Sequence, residues 1–132
     1  SRGLGDVYKR QEVERVNKRS KTAFGEFLVG EIRQAGLSQE EFYTAVGIKK
    51  PYFYDLLTAS PPPIEIQNRM LAVLESKTET DDNRRIRFYD LAAQGRDEIP
   101  ADITALIKDH SNDWDRIRAA LTASIGGNTN DK

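Results

Sequence analysis

The segment from Leu37 to Leu57 constrains the fold of this chain most, because it places two short helical patterns on either side of one glycine. Ser38 is a residue type that caps helices well, and Glu41 three positions later completes a capping-box pattern. Gly47 follows the last apolar residue of the first pattern, where the chain must adopt a positive φ to turn. A second pattern follows, with a proline in its first turn, where a missing N–H costs little. The segment therefore predicts two helices joined by a tight turn.

The rest of the chain repeats apolar residues at three- and four-residue spacings, and no useful length alternates with period two. We therefore expect an all-α fold, a small helical bundle without a sheet. The predicted helices span about 22–35, 39–46, 50–58, 64–75 and 82–94, and two more begin with Pro100 at the first helical position and with Asn112 or Asp113 as the cap. Gly36 and Gly95 are predicted to end the first and the fifth helix. Ile86, Tyr89, Leu91 and Ala92 are the candidate buried residues of the fifth helix.

Composition and charge divide the chain into five predicted segments. Residues 1–21 form a basic N-terminal arm, disordered or partly helical, in which positions 9–21 hold six basic and two acidic side chains, a formal charge of +4. Residues 1–11 show no helical period and resemble translated adaptor read-through, so whether they are native is left open. The other segments are a helix-turn-helix domain at 22–76, a linker at 77–82, a C-terminal helical extension at 83–125 and a disordered tail at 126–132.

The composition restricts the classes of function. The 132 residues include no cysteine, which excludes disulfides and thiolate metal sites and is compatible with the reducing cytoplasm, where we expect the protein. No apolar run approaches the ~20 residues of a membrane span, so no membrane partner is expected. The formal net charge is −1, and any binding of DNA therefore depends on a local basic patch.

No pattern in the chain predicts catalysis. His110 is the single histidine, and without a second histidine or a cysteine it cannot anchor an ordinary transition-metal site. The adjacent carboxylates at 81–82 and 97–98 lie in predicted turns, where capping and solvation explain them. We therefore expect no enzymatic activity, no metal, no cofactor and no small-molecule substrate.

Residues from about 24 to 75 resemble the phage-repressor and Cro-like helix-turn-helix family, also called XRE-like. The resemblance rests on Leu37-Ser38-Gln39-Glu40-Glu41, on Val46-Gly47-Ile48, and on a proline-containing loop followed by an amphipathic helix. It implies a helical bundle that binds double-stranded DNA as a dimer, with the recognition helix at about 50–58 in the major groove. It also implies that Gln39 contacts a phosphate or a base, that Lys50 is the leading base reader and that Thr58 contacts a phosphate.

The side-chain chemistry of the second helix adds further candidate contacts. Lys49 is suited to a phosphate, and Lys50 to the O6 and N7 acceptors of guanine. Tyr52 and Tyr54 flank a buried position, and each of them can bond a phosphate, pack on a thymine methyl or simply cover the core. The predicted DNA contacts are thus Gln39, Lys49, Lys50, Tyr52, Tyr54 and Thr58.

Two functions remain open at this point. The first is a sequence-specific DNA-binding transcriptional regulator that forms a homodimer through Trp114, Ile117 and Leu121 of the C-terminal extension. The alternative is a protein-interaction module, an adaptor or an antitoxin-like partner, that keeps the fold with weak or no DNA binding. Residues 21–75 favour the alternative, because they hold five basic and seven acidic side chains, a formal charge of −2. Pro51 favours it as well, since it stands where many family members offer a polar side chain to a base.

Overall fold

The computed structural model of this chain describes residues 19–130, with side chains through 126. This part of the chain contains no strand, so the predicted all-α class is confirmed. Its helices are α1 (Ala23–Gln34), α2 (Gln39–Val46), α3 (Lys50–Thr58), α4 (Ile64–Lys77), α5 (Asp82–Arg96), α6 (Ala101–Lys108) and α7 (Trp114–Asn130), with a 3₁₀ turn at Ser111–Asp113. Most of the predicted basic arm, residues 1–18, lies outside the described residues.

Local capping explains why the first helices begin and end where the sequence predicts. The Thr22 hydroxyl accepts the Gly25 N–H at 3.0 Å at the start of α1. At the start of α2, the Ser38 hydroxyl accepts the Glu41 N–H at 3.0 Å, and the Glu41 carboxylate accepts the Ser38 N–H at 2.8 Å. This hydrogen bond to the charged form lowers the pKa of Glu41. Gly36 and Gly47 follow α1 and α2 with φ of +75° and +92°.

The core lies between α1, α2, α3, α4 and α5. Its buried apolar side chains include Phe24, Leu28, Ile32, Phe42, Val46, Phe53, Leu56, Leu57, Met70, Leu71, Leu74 and Phe88. The rings of Phe42 in α2 and Phe53 in α3 lie 6.0 Å apart, which packs the two short helices against each other. Near the end of α4, Leu74 is buried and faces the core, while Val73 is only partly buried.

The start of α1 crosses the end of α3 at a very short distance. A Cβ added to Gly25 would lie 2.1 Å from the carbonyl oxygen of Leu57. The same oxygen accepts the Thr22 N–H at 2.9 Å. A side chain at position 25 is therefore excluded by the backbone of α3, and this crossing fixes how α3 sits on the bundle.

The predicted boundary at 77–82 does not separate two cores. Lys77 belongs to α4 and Asp82 to α5, so the connecting loop is limited to residues 78–81. Phe88 of α5 is fully buried and packs edge-on against Phe24 of α1. The hydroxyl of Tyr89, which is itself buried, donates to Asn68 Oδ1 at 2.8 Å and joins α5 to α4. The first helix of the predicted extension is thus a part of the main bundle.

A second contact between α5 and α1 is an ion pair that solvent barely reaches. Arg84 Nε lies 3.7 Å from a carboxylate oxygen of Glu31, and both side chains are mostly buried. Burial raises the pKa of Glu31, and the attraction of Arg84 opposes this shift. The pair adds a charged contact to the apolar packing of α5 against α1.

Four local predictions were wrong. Gly95 does not end α5, which continues to Arg96 and is ended by Asp97 at φ +56°. Gly95 instead allows a close approach, because a Cβ there would lie 2.5 Å from Pro61 Cγ. Pro100 is the N-cap of α6, so the helix begins one residue later than predicted. Ile86 is 49% exposed, and α7 runs to Asn130, where a disordered tail from 126 was predicted.

Candidate nucleic-acid interface

Helix α3 has one buried and one exposed side. Phe53, Leu56 and Leu57 face the core, whereas Lys50, Pro51, Tyr52 and Asp55 are exposed. Pro51 suits this helix start, because its fixed φ matches the first turn and its missing N–H needs no partner. We call the exposed side, together with the residues that border it, the α3 face.

The turn before α3 is held by backbone hydrogen bonds and by a side chain from α4. The Ile48 N–H donates to the Tyr43 carbonyl at 3.0 Å, and the positive φ of Gly47 allows this reversal. Arg69 Nη1 donates to the Val46 carbonyl at 3.4 Å, so α4 contacts the last residue of α2. Because Ile48 is partly buried against the core, the start of α3 has a defined position.

The structure brings some of the predicted contact residues together in a groove between α2 and α3, which we call the α2–α3 groove. Its volume is about 550 Å³, and it is lined by Gln39, Glu40, Tyr43, Lys50, Pro51, Phe53, Tyr54 and Leu57. The rings of Tyr43 and Phe53 lie 5.4 Å apart within this lining. The groove is thus mostly apolar and aromatic, with Gln39, Glu40 and Lys50 as its polar groups.

A second groove of about 550 Å³ adjoins the first and shares three of its residues. It is lined by Arg19, Ser20, Lys21, Glu26, Gln39, Tyr54, Leu57 and Thr58. The Thr58 hydroxyl donates to the Tyr54 carbonyl at 2.8 Å and is half-buried. Gln39, Tyr54 and Thr58 are therefore close together, although the donor capacity of Thr58 is already used within α3.

The other two predicted contacts line neither groove. Lys49 is the exposed N-cap residue of α3, and its side chain makes no capping hydrogen bond. Tyr52 is 41% exposed on the α3 face. Both lie at the start of α3, where Lys50 also lies, so this end of the helix presents two lysines and a phenol to solvent.

Arg19 is a residue of this surface that the sequence did not single out. Its guanidinium donates to Asp55 Oδ1 at 2.6 Å and lies 5.0 Å from the centroid of the Tyr54 ring. Its backbone N–H donates to the Tyr54 hydroxyl at 2.6 Å. The hydrogen bond to Asp55 raises the pKa of Arg19. Arg19, which lies just before α1, therefore contacts α3 at its exposed side.

The charges around the α3 face are mixed. Four basic side chains, those of Arg19, Lys21, Lys49 and Lys50, border it together with three acidic ones, those of Glu26, Glu40 and Asp55. Because Arg19 is paired with Asp55, the lysines at the start of α3 and Lys21 carry the remaining positive charge. The α3 face is thus weakly basic, whereas residues 21–75 taken together have a formal charge of −2.

The C-terminal helices present a separate apolar surface. Ile107 and the three residues predicted to form the dimer contact, Trp114, Ile117 and Leu121, line a groove of about 390 Å³, with Arg118 and Thr122 at its side. Trp114 Nε1 donates to the Ile107 carbonyl at 2.7 Å, which ties α7 to α6. Trp114 is 44% exposed and Leu121 49% exposed. We call Ile107, Trp114, Ile117 and Leu121 the C-terminal apolar surface.

The described residues contain no cluster of three or more histidine or acidic side chains placed to hold a metal ion. His110 lies at the end of α6, where its Nδ1 is 2.8 Å from the Leu106 carbonyl. Among residues 19–130, no helix has both the length and the apolar character that crossing a bilayer requires. Comparisons with protein-family models, with curated proteins and with solved structures found no match to this chain.

Proposed function

We propose that this chain is a sequence-specific regulator that binds double-stranded DNA, with α3 as its recognition helix, as the resemblance to Cro-like proteins implies. The observation that carries the proposal is that α3 has two different sides. Phe53, Leu56 and Leu57 are buried, whereas Lys50, Tyr52 and Asp55 are exposed. A helix with side chains is about 10–12 Å across, which matches the ~12 Å width of the major groove. Lys50 then reads a base and Lys49 a phosphate.

The neighbouring residues support the same orientation. Gln39 begins α2, and its exposed side chain lies beside Lys50 in the lining of the α2–α3 groove. From the start of α2, the side-chain amide of Gln39 can donate a hydrogen bond to a phosphate. Lys21 adds a cation at the other end of the face. In this proposal the N-terminal ends of α2 and α3, together with Lys21 before α1, contact the DNA backbone. The exposed side of α3 contacts the bases.

We further propose that the regulator is a homodimer. A single domain of this size contacts one half-site, and specific affinity usually takes two. The C-terminal apolar surface supplies the contact, because Trp114 and Leu121 are large apolar residues that the chain leaves exposed.

A test of the proposal is the selection of DNA sequences by the full chain. A pool of random-sequence duplexes is incubated with the protein at low salt, and retained duplexes are sequenced. A regulator enriches a sequence with two related halves, and its affinity for that sequence falls linearly with salt on logarithmic axes. Retention of no duplex at low salt would overturn the proposal.

One observation favours a second candidate, a protein-interaction module. The α2–α3 groove is lined by Tyr43, Pro51, Phe53 and Tyr54, and such a groove can accept an apolar side chain of a partner. Glu40 and Asp55 on the same face disfavour a polyanion. If the full chain retains no DNA but a copurified protein protects Tyr43 and Tyr54 from solvent exchange, this candidate replaces the regulator.

A further inference from the structure

Arg19 is attached to α3 by three contacts. Its backbone N–H donates to the Tyr54 hydroxyl, its guanidinium donates to Asp55 Oδ1, and the same guanidinium lies over the Tyr54 ring. The two hydrogen bonds are both 2.6 Å long. Tyr54 and Asp55 are consecutive residues of one helix, so a single rigid element positions Arg19.

Asp55 is the residue of the α3 face that fits a DNA-binding surface least. Its side chain is 58% exposed on the recognition helix, and a carboxylate at this position repels the phosphates and most base acceptors of the major groove. The contact with Arg19 places a positive charge directly on it. The pair is formally neutral, whereas Asp55 alone would leave a negative charge on α3.

We propose, on the basis of the DNA-binding function proposed above, that Arg19 is a positioning residue that neutralises Asp55 and thereby makes the α3 face compatible with DNA. Arg19 comes from the segment before α1, so this segment contributes to recognition without itself reading a base. Asp55 in turn holds that segment beside the helix. Arg19, which lies 36 residues before Asp55 in the sequence, thus sets the net charge at this point of the recognition surface.

A double-mutant cycle in the full chain tests this inference. The proteins are the wild type, Arg19→Ala, Asp55→Asn and the double variant, and the probe is a fluorescent random-sequence duplex at low ionic strength. Arg19→Ala is expected to weaken binding roughly fivefold, the size of one close interaction between unit charges in water. Asp55→Asn alone is expected to bind about as tightly as the wild type, because Arg19 already neutralises the carboxylate and is no longer held on α3 without it. The double variant is also expected to bind nearly as tightly as the wild type, so the loss caused by Arg19→Ala should appear only when Asp55 is present. Both positions are exposed, so circular dichroism and thermal melting should show unchanged folding.

Lys21→Ala, alone and combined with Asp55→Asn, is the matched control. Lys21 borders the same surface, and its loss removes a cation without exposing Asp55. Its effect should therefore add to that of Asp55→Asn instead of being rescued by it. If Arg19→Ala and the double variant lose affinity equally, or if Arg19→Ala binds like the wild type, the inference is wrong while the proposed function stands. If the wild type does not bind the duplex, the proposed function fails and this inference fails with it.

Discussion

The ring of Phe88 in α5 stands edge-on to the ring of Phe24 in α1, with their centroids 5.3 Å apart. Both side chains are fully buried, and Phe88 also packs against the ring of Tyr89 at 5.6 Å. An edge-to-face pair contributes beyond the apolar area that it buries. The bundle that carries the α3 face therefore includes α5, which the sequence places after a polar linker.

We predict that Phe88→Ala destabilises the full chain by about 3–5 kcal/mol, because it removes a buried ring and leaves a cavity beside Phe24. Urea unfolding followed by circular dichroism measures the loss. Ile86→Ala on the same helix is the control and should change the free energy of unfolding by less than about 0.5 kcal/mol, since Ile86 is exposed. If Phe88→Ala does not fold, Phe88→Leu should give a smaller loss that is still measurable. Equal effects at 86 and 88 would contradict the packing of α5.

A second prediction compares two glycines of α1. Gly25→Ala should destabilise the protein by about 1–3 kcal/mol, because the new Cβ would lie 2.1 Å from the Leu57 carbonyl oxygen. Gly30→Ala should stabilise it by about 0.5–1 kcal/mol, because nothing lies within 4 Å of a Cβ there and alanine favours a helix. Thermal melting of both variants tests the pair. A stable Gly25→Ala protein would show that α1 and α3 can separate without cost.

The helix limits near the α3 face could be predicted from the sequence because they depend on neighbouring residues. Ser38, Glu41 and Gly47 act within one turn of chain, and each does in the structure what its residue type predicts. Leu57 lies at the margin of the helical period, so its burial depends on the crossing with Gly25 and not on the period alone.

Other features depend on contacts between distant parts of the chain and leave no local pattern. The pairing of Arg19 with Asp55 joins residues 36 positions apart, and a helical period carries no information about it. Glycine is a residue type that often ends helices, but Gly95 lies inside α5. Its lack of a side chain lets Pro61 pack closely against the helix. The burial of Phe88 against Phe24 also depends on a tertiary contact. It could not be predicted from the sequence, because a polar segment separates the two helices and indicates a linker.

A third prediction concerns the pH dependence of the capping box. The pKa of Glu41 is lowered in the folded protein, so its charge stabilises the fold above the unfolded pKa of about 4.3 and ceases to do so as pH falls through the folded value. The stability advantage of the wild type over Glu41→Gln should therefore shrink as pH falls below about 4.3.

Glu31→Gln is the matched control for this measurement. Burial raises the pKa of Glu31, so its contribution is fully present below the unfolded pKa and is lost as pH rises through the folded value. The stability of the wild type relative to Glu31→Gln should thus increase as pH falls, opposite to the trend at Glu41. Urea unfolding at a series of acidic pH values measures both differences. Trends of the same sign would contradict the opposite pKa shifts of Glu41 and Glu31.

A fourth prediction separates the roles of the two lysines at the start of α3. Lys50→Ala should relax the preference at one base pair by about 1–3 kcal/mol, because it removes a base contact. Lys49→Ala should weaken binding to all sequences and reduce the salt slope by about 1. Competition binding with single-base variants of the selected duplex measures the first effect, and a salt titration the second. Lys108→Ala, an exposed lysine of α6 outside both grooves, should change neither. Identical behaviour of the three variants would exclude α3 as the reader.

The fifth prediction concerns the C-terminal apolar surface. The described side chains of α7, from 114 to 126, include none that is fully buried, although Trp114, Ile117 and Leu121 recur on one side of the helix. A helix without such packing is marginal in water, so a partner that covers this side stabilises it. Leu121→Asp should therefore dissociate the dimer at concentrations where the wild type is dimeric in sedimentation equilibrium.

Ala123→Asp is the control for this variant, because it places the same charge on the opposite side of α7, at an exposed position. It should leave the dimer intact. Leu121→Asp should also weaken binding to the selected duplex that contains both half-sites. Its weaker binding to a duplex with one half-site should not change, since the proposed dimer interface lies outside α3. A wild-type chain that remains monomeric at every concentration, or equal dissociation of the 121 and 123 variants, would show that α7 does not join two copies of the chain.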